Sequence, residues 1–200
     1  MDAAIQITAN LPGDVPIVPI VFGVVVLVPL IWVIATVNRF VRLKNLIHES
    51  WSNVDVVLKR RYDLIPNLVE TVKGYATHER DALEQVIAAR NRALGSTGRI
   101  REQADDENKL VKSVNHLLGL AEAYPDLKAS ENFLQLQREL VNTEDRIAAA
   151  RRFYNANVRE HNTLVQQFPS MFVARMMGRQ AEDFFEVEEL AIRKSPVVAF

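Results

Sequence analysis

The stretch KRRYDLIPNLVETVKGYATHE, residues 59–79, decides how the rest of the chain is read, because Pro66 stands in the middle of a helical pattern. Apolar residues recur at Ile47, Trp51, Val54, Leu58, Tyr62, Ile65, Val69, Val72 and Tyr75, in steps of three and four. That spacing marks one face of a helix. The rhythm passes Pro66 without changing phase, and its neighbours are Ile65 and Asn67 rather than a glycine-rich turn. Proline removes the bond back to the Tyr62 carbonyl and costs about 3 kcal/mol in an isolated helix interior. The pattern therefore predicts one long helix kinked at Pro66. It resumes at Leu83 and Val86 and ends after Leu94 at Gly95-Ser-Thr-Gly98.

Downstream, a helix is expected from about Asp105 to Glu122, with Leu110, Val114, Leu117, Leu118 and Ala121 on its apolar face. Tyr124-Pro125-Asp126 breaks it, and Ser130 is placed to cap the next. There Phe133, Leu136, Leu140, Thr143, Ile147, Ala150, Tyr154, Val158, His161, Val165 and Phe168 keep a three-four spacing over five heptads. Such a seam belongs to a left-handed bundle or coiled coil. Phe168-Pro169 ends it, and a last helix is expected from about Ser170 to Leu190. Strand signals are nearly absent. The predicted fold is all-α, an elongated antiparallel bundle of long, partly kinked helices behind a membrane helix.

Upstream lies that membrane helix. Residues 15–37, VPIVPIVFGVVVLVPLIWVIATV, are uncharged and apolar. At about 1.5 Å per residue they reach roughly 35 Å, enough for a hydrocarbon layer of about 30 Å. A cleaved signal peptide would need a basic start and a shorter apolar run, yet MDAAIQITANLPGD has no Lys or Arg. Arg39, Arg42 and Lys44 crowd the C-terminal flank of the run, against Asp2 and Asp14 on the other side. The positive-inside rule then puts residues 1–14 outside and the bundle, 38–190, in the cytoplasm, with 191–200 an extended tail. The basic flank is also suited to anionic lipid headgroups.

The formal net charge of −1, with acids and bases interleaved, lacks the basic excess of a nucleic-acid binder. Absence of cysteine excludes disulfides, thiolate metal sites and cysteine nucleophiles. Neither GxGxxG nor GxxxxGK[ST] occurs among the seven glycines, and neither Glu-x-x-His pairs nor HExxH is present. No catalytic, cofactor or metal residue is therefore assigned. His48, His78 and His116 are scattered, and His161 falls on the seam, where a partly buried, hydrogen-bonded histidine is expected ahead of a metal ligand. HESWS, residues 48–52, reads as a solvated helix face. The Lys59-Arg60-Arg61 run suits an anionic partner or, more plainly, helical ion pairing with Asp63. Asn155 and Asn162, seven apart, could fix helix register or bind a ligand. In MFVARMMGR, Met171, Phe172, Met176 and Met177 mix with Arg175 and Arg179. That surface suits an oligomer contact, a membrane interface or packing on the bundle end. Pro196-Val-Val-Ala-Phe200 could add as a strand to a partner or simply fray.

KRRYDLIPNLVETVKGYATHE, EAYPDLKASENFLQLQRELVNTEDRIAAARRFYN, the FP pair and PVVAF together closely resemble the LemA family, from about Asn38 to the C-terminus. Where the family often has Tyr-Asn in the seam helix, this chain has His161-Asn162. The resemblance implies a bacterial membrane helix with a cytoplasmic long-helix bundle, and brings no catalytic residues. It implies membrane organisation, through a related magnetosome protein connected with membrane shaping. More weakly, it implies an association with HtpX-type membrane zinc peptidases. Three readings follow: a self-associating membrane scaffold and homo-oligomer, an adaptor for a membrane enzyme or signalling protein, and an enzyme. For the last, nothing in the sequence brings titratable groups together.

Overall fold

A computed structural model describes residues 17–190 apart from Thr77, Thr97 and Glu189. The expected outer segment 1–14 and the tail 191–200 lie outside the described residues. All regular structure among those described is helical: α1 Ile17–Lys73, α2 Arg80–Gly95, α3 Ile100–Ala121, α4 Pro125–Lys128, α5 Glu131–Gln166 and α6 Ser170–Met176. The chain divides into two compact units after Arg39.

In the first unit, α1 from Val21 to Ile34 is apolar all round and its side chains are largely open. Phe22, Val25 and Ile31 are each more than 60 % exposed. By length and composition this part of α1 is a candidate membrane span. Thr36 sends its hydroxyl back to the Trp32 carbonyl at 2.8 Å, hiding its polar group inside the helix.

The second unit is built on two long helices running antiparallel. Phe40 of α1 meets His161 of α5, Trp51 meets Tyr154, and Arg61 meets Glu144, so one helix descends as the other climbs. Val54, Leu58, Ile65 and Leu68 of α1 share a core with Leu140, Ile147 and Val158 of α5. The α2–α3 hairpin completes that core with Leu83, Val86, Leu110, Val114 and Leu117.

The expected helix to Leu94 is corrected here. α1 passes through Pro66 as anticipated but ends at Lys73, and a turn at Gly74–Glu79 sends α2 back along it. Tyr75 lies beyond the helix end and is exposed, although it is in phase with the buried face. Pro66 also explains how the hairpin closes. Its missing N–H leaves the Tyr62 carbonyl without a helical partner, and Arg90 of α2 donates its Nε–H to that oxygen at 2.6 Å. Pro66, Val69, Leu83, Ile87 and Arg90 line a cleft of about 480 Å³ over this junction.

The second correction concerns the last helix, which stops at Met176 instead of reaching Leu190. Gly178 takes φ +62°, the left-handed conformation that terminates helices. The Arg179 N–H then reaches the Ala174 carbonyl at 2.9 Å and the Gly178 N–H reaches Arg175 at 3.1 Å, closing the final turn. Beyond it the chain is extended to Glu188, with Phe185 and Val187 buried and Phe184, Glu186 and Glu188 exposed. Alternation of this kind belongs to extended chain, not to a helix.

Candidate functional site: an amide clamp over an extended segment

α2 has 16 residues and α5 has 36, so the hairpin covers only part of the α1–α5 seam. The rest, near Trp51 and Tyr154, is closed by residues 182–188. Phe185 is fully buried and meets Trp51 edge-on, with ring centres 5.1 Å apart. Trp51 in turn meets Tyr154 at 5.3 Å.

Three asparagines hold this segment by its backbone. Asn162 donates to the Glu182 carbonyl at 2.9 Å and accepts from the Glu182 N–H at 2.8 Å. Asn155 does the same for Phe185, at 3.0 and 2.9 Å. Asn108 of α3 straddles Val187, donating to the Glu186 carbonyl at 3.3 Å and accepting from the Glu188 N–H at 2.7 Å. A primary amide carries both a donor and an acceptor, so each asparagine acts as a neighbouring β-strand would.

The spacing follows from geometry. Seven helical residues between Asn155 and Asn162 rise about 10.5 Å. Three extended residues between Glu182 and Phe185 span about 10 Å. The two repeats match, and the segment runs antiparallel to α5. Arg151 also donates to the Val187 carbonyl, and Tyr154 to the Asp183 carbonyl at 3.0 Å. At the edges Lys44 meets Glu182 at 2.9 Å, Arg101 meets Asp183 at 2.7 Å, and Lys112 meets Glu188 at 3.5 Å. Burial first, then the charges of Glu182 and Asp183, push the Tyr154 phenol up to about 12.

A second constellation lies inside the bundle. Arg61 is buried between Glu107 of α3 and Glu144 of α5, the latter at 3.0 Å, and Tyr62 donates its hydroxyl to Glu107. Burial alone would lower the Arg61 pKa, but the charges and hydrogen bonds of Glu144 and Glu107 outweigh it and raise it. The Tyr62 phenol is held far above its ordinary value, by burial first and then by the Glu107 charge and hydrogen bond. One cation thus ties three helices together at two carboxylates.

The residues singled out by sequence fall as follows. Arg61 leaves its exposed neighbours Lys59 and Arg60 and turns inward, so the basic run is not one surface patch. Arg39 and Arg42 are exposed, and Lys44 is drawn to Glu182. Pro66 faces outward. Phe172, Arg175 and Met176 are exposed on α6, whereas Met171 and Met177 are half-buried. His161 is buried beside Phe40, with Nδ1 3.4 Å from Asn162 Oδ1. HESWS is only partly solvated: Ser50 is buried and donates to the Ile47 carbonyl at 2.9 Å, and Trp51 packs. Among the described residues no three His, Asp or Glu side chains converge as a metal set.

Sequence reasoning singled out Asn155 and Asn162 but not their role, and missed Asn108, Glu107 and Glu144. The period-two pattern in Asp-Phe-Phe-Glu-Val-Glu, residues 183–188, is the signal that identifies the extended segment.

Matches to known proteins agree with this architecture. The LemA family profile matches residues 50–200, a range that includes all three clamp asparagines and the Arg61 cluster. The chain belongs to the LemA family. It is 23 % identical to the magnetosome protein MamQ of Magnetospirillum gryphiswaldense, over 74 % of this chain and 64 % of that protein. It is 26 % identical to the protein LemA of Metamycoplasma hominis, over 76 % of this chain and 70 % of the relative. It thus spans somewhat less than two thirds of the MamQ proteins it matches. Family membership, the relatives and the apolar helix together mark a membrane-associated protein of the LemA type.

Proposed function

We propose that this LemA-type chain is a membrane-anchored scaffold, self-associating to organise or shape the bilayer rather than to catalyse a reaction. In this reading it sits in a bacterial inner membrane, with the N-terminus outside, the bundle in the cytoplasm, and lipid and further copies as partners. The observation that carries it is the open apolar surface of α1 from Val21 to Ile34, carried on the helix that continues into the bundle core. A helix that is apolar all round requires lipid or protein around it. Three relatives bear the name magnetosome protein, which supports a part in membrane organisation here.

Energy transfer between copies labelled at Val56→Cys, an exposed position, tests the self-association. Transfer that persists on dilution with lipid supports the scaffold. Transfer that falls to the level of random encounters overturns it.

The clamp favours a second reading, an adaptor for a membrane enzyme or signalling protein. Its asparagines read main chain, so they suit any extended segment with apolar residues two apart. A peptide copying residues 181–190 that binds a folded chain ending at Gln180 would support the adaptor; absence of binding removes it.

A further inference from the structure

Phe172 and Met176 are four apart on α6 and so share one face, and Phe168, in the turn between α5 and α6, joins them through its ring contact with Phe172, so the three form one stripe. They are 73, 58 and 71 % exposed, and the two rings meet edge-on at 6.0 Å. The opposite face of α6 is already satisfied: Val173 and Ala174 are buried, and Ser170 donates to the Leu164 carbonyl at 2.7 Å. The outer stripe is therefore surplus to the packing of the bundle. Large apolar side chains grouped in the open mark a surface that something covers.

Its place in the fold says what. His161 of α5 meets Phe40 of α1, and α5 continues for five more residues to Gln166, about 7.5 Å past that level. The stripe thus lies at the Phe40 end of the bundle. Phe40 is separated from the apolar run ending at Val37 by three residues of chain, at most about 11 Å. Arg42 and Arg175 are exposed at the same end. Aromatic and thioether side chains beside arginines match the interfacial layer, where rings sit among acyl chains and guanidinium groups meet phosphate.

We propose that Phe168, Phe172 and Met176 enter the lipid interface, giving the bundle a second hold on the membrane beside its anchor. The occupant is the bilayer surface, with anionic headgroups at Arg42 and Arg175. This rests on the anchor assigned to α1.

The chain has no cysteine, so single substitutions give clean spin-label sites. The full chain is reconstituted in bilayers of phosphatidylcholine and phosphatidylglycerol, with labels at Phe172→Cys, Met176→Cys, Val25→Cys in the anchor and Val56→Cys on the exposed face of α1. Accessibility to oxygen is compared with accessibility to a water-soluble nickel complex. The proposal expects the oxygen-to-nickel ratio at 172 and 176 to exceed that at 56 several-fold, approaching the value at 25. A ratio equal to that at 56, with 25 still in lipid, overturns the proposal and leaves the anchor standing. If 25 is also in water, the anchor itself fails. Low access of both oxygen and nickel at 172 and 176, with dipolar broadening there lost on dilution with unlabelled chain, would give the stripe to a second copy and overturn the lipid assignment.

Discussion

Arg61 shows how much one side chain can decide. Its guanidinium is the buried cation between Glu107 and Glu144, so Arg61→Met leaves two carboxylates close together without their partner. Breaking a buried pair in this way costs about 3–5 kcal/mol. Urea unfolding at pH 7 checks that, and Arg61→Met with both glutamates changed to Leu is expected to recover much of the loss. Tyr154 is tested at alkaline pH. Its phenol is raised from 10.0 to about 12, so its contribution is whole below pH 10 and lost as pH climbs towards 12. Tyr154→Phe is expected to flatten that limb of a stability profile followed by circular dichroism, leaving the larger rise at Tyr62 behind. None of this was legible in sequence, because Arg61 pairs with residues 46 and 83 positions away and no periodicity reports a charge partner at that range.

Elements follow local rules more closely, and their failures are instructive. Helix existence and apolar faces could be read because three-four spacing is a local property. The stop at Lys73 could not, since Tyr75 keeps the phase and only the return of α2 reveals the turn. Pro66 and Arg90 make a testable pair. Arg90→Met is expected to cost about 1 kcal/mol by orphaning the Tyr62 carbonyl. Pro66→Ala supplies the missing N–H, so it is expected to rescue that loss, and a double-mutant cycle by thermal unfolding measures the coupling. The extended segment was mistaken for helix although Gly178 and the alternation of Phe185 with Val187 argued otherwise. Acidic residues suit either conformation, and Asn155 and Asn162 look like seam residues until their partners are seen. Asn155→Ala removes both bonds to Phe185. Hydrogen exchange at the Phe185 and Glu182 amides is expected to rise about tenfold or more, with α1 and α5 protected as before.

For the molecule as a whole, the parts divide the work. The apolar surface of α1 from Val21 to Ile34 is a candidate membrane span, the Arg61 cluster and apolar core join α1, α3 and α5, and the clamped segment closes the stretch of seam that the short hairpin leaves uncovered. The candidate membrane helix is plain in sequence because its signal is composition over a fixed length. Assembly is not, because a heptad seam has the same pattern whether it meets a helix of its own chain or of another. In this chain Leu140, Ile147 and Val158 are spent on the internal core. The proposed self-association would then use surfaces other than that seam, and the apolar part of α1 is the broadest apolar one among the described residues. The most direct measurement is the mass of the full-length chain in nanodiscs beside that of a chain beginning at Asn38. The scaffold predicts a discrete oligomer for the full chain and a smaller species for the truncated one; a monomer in both would contradict it.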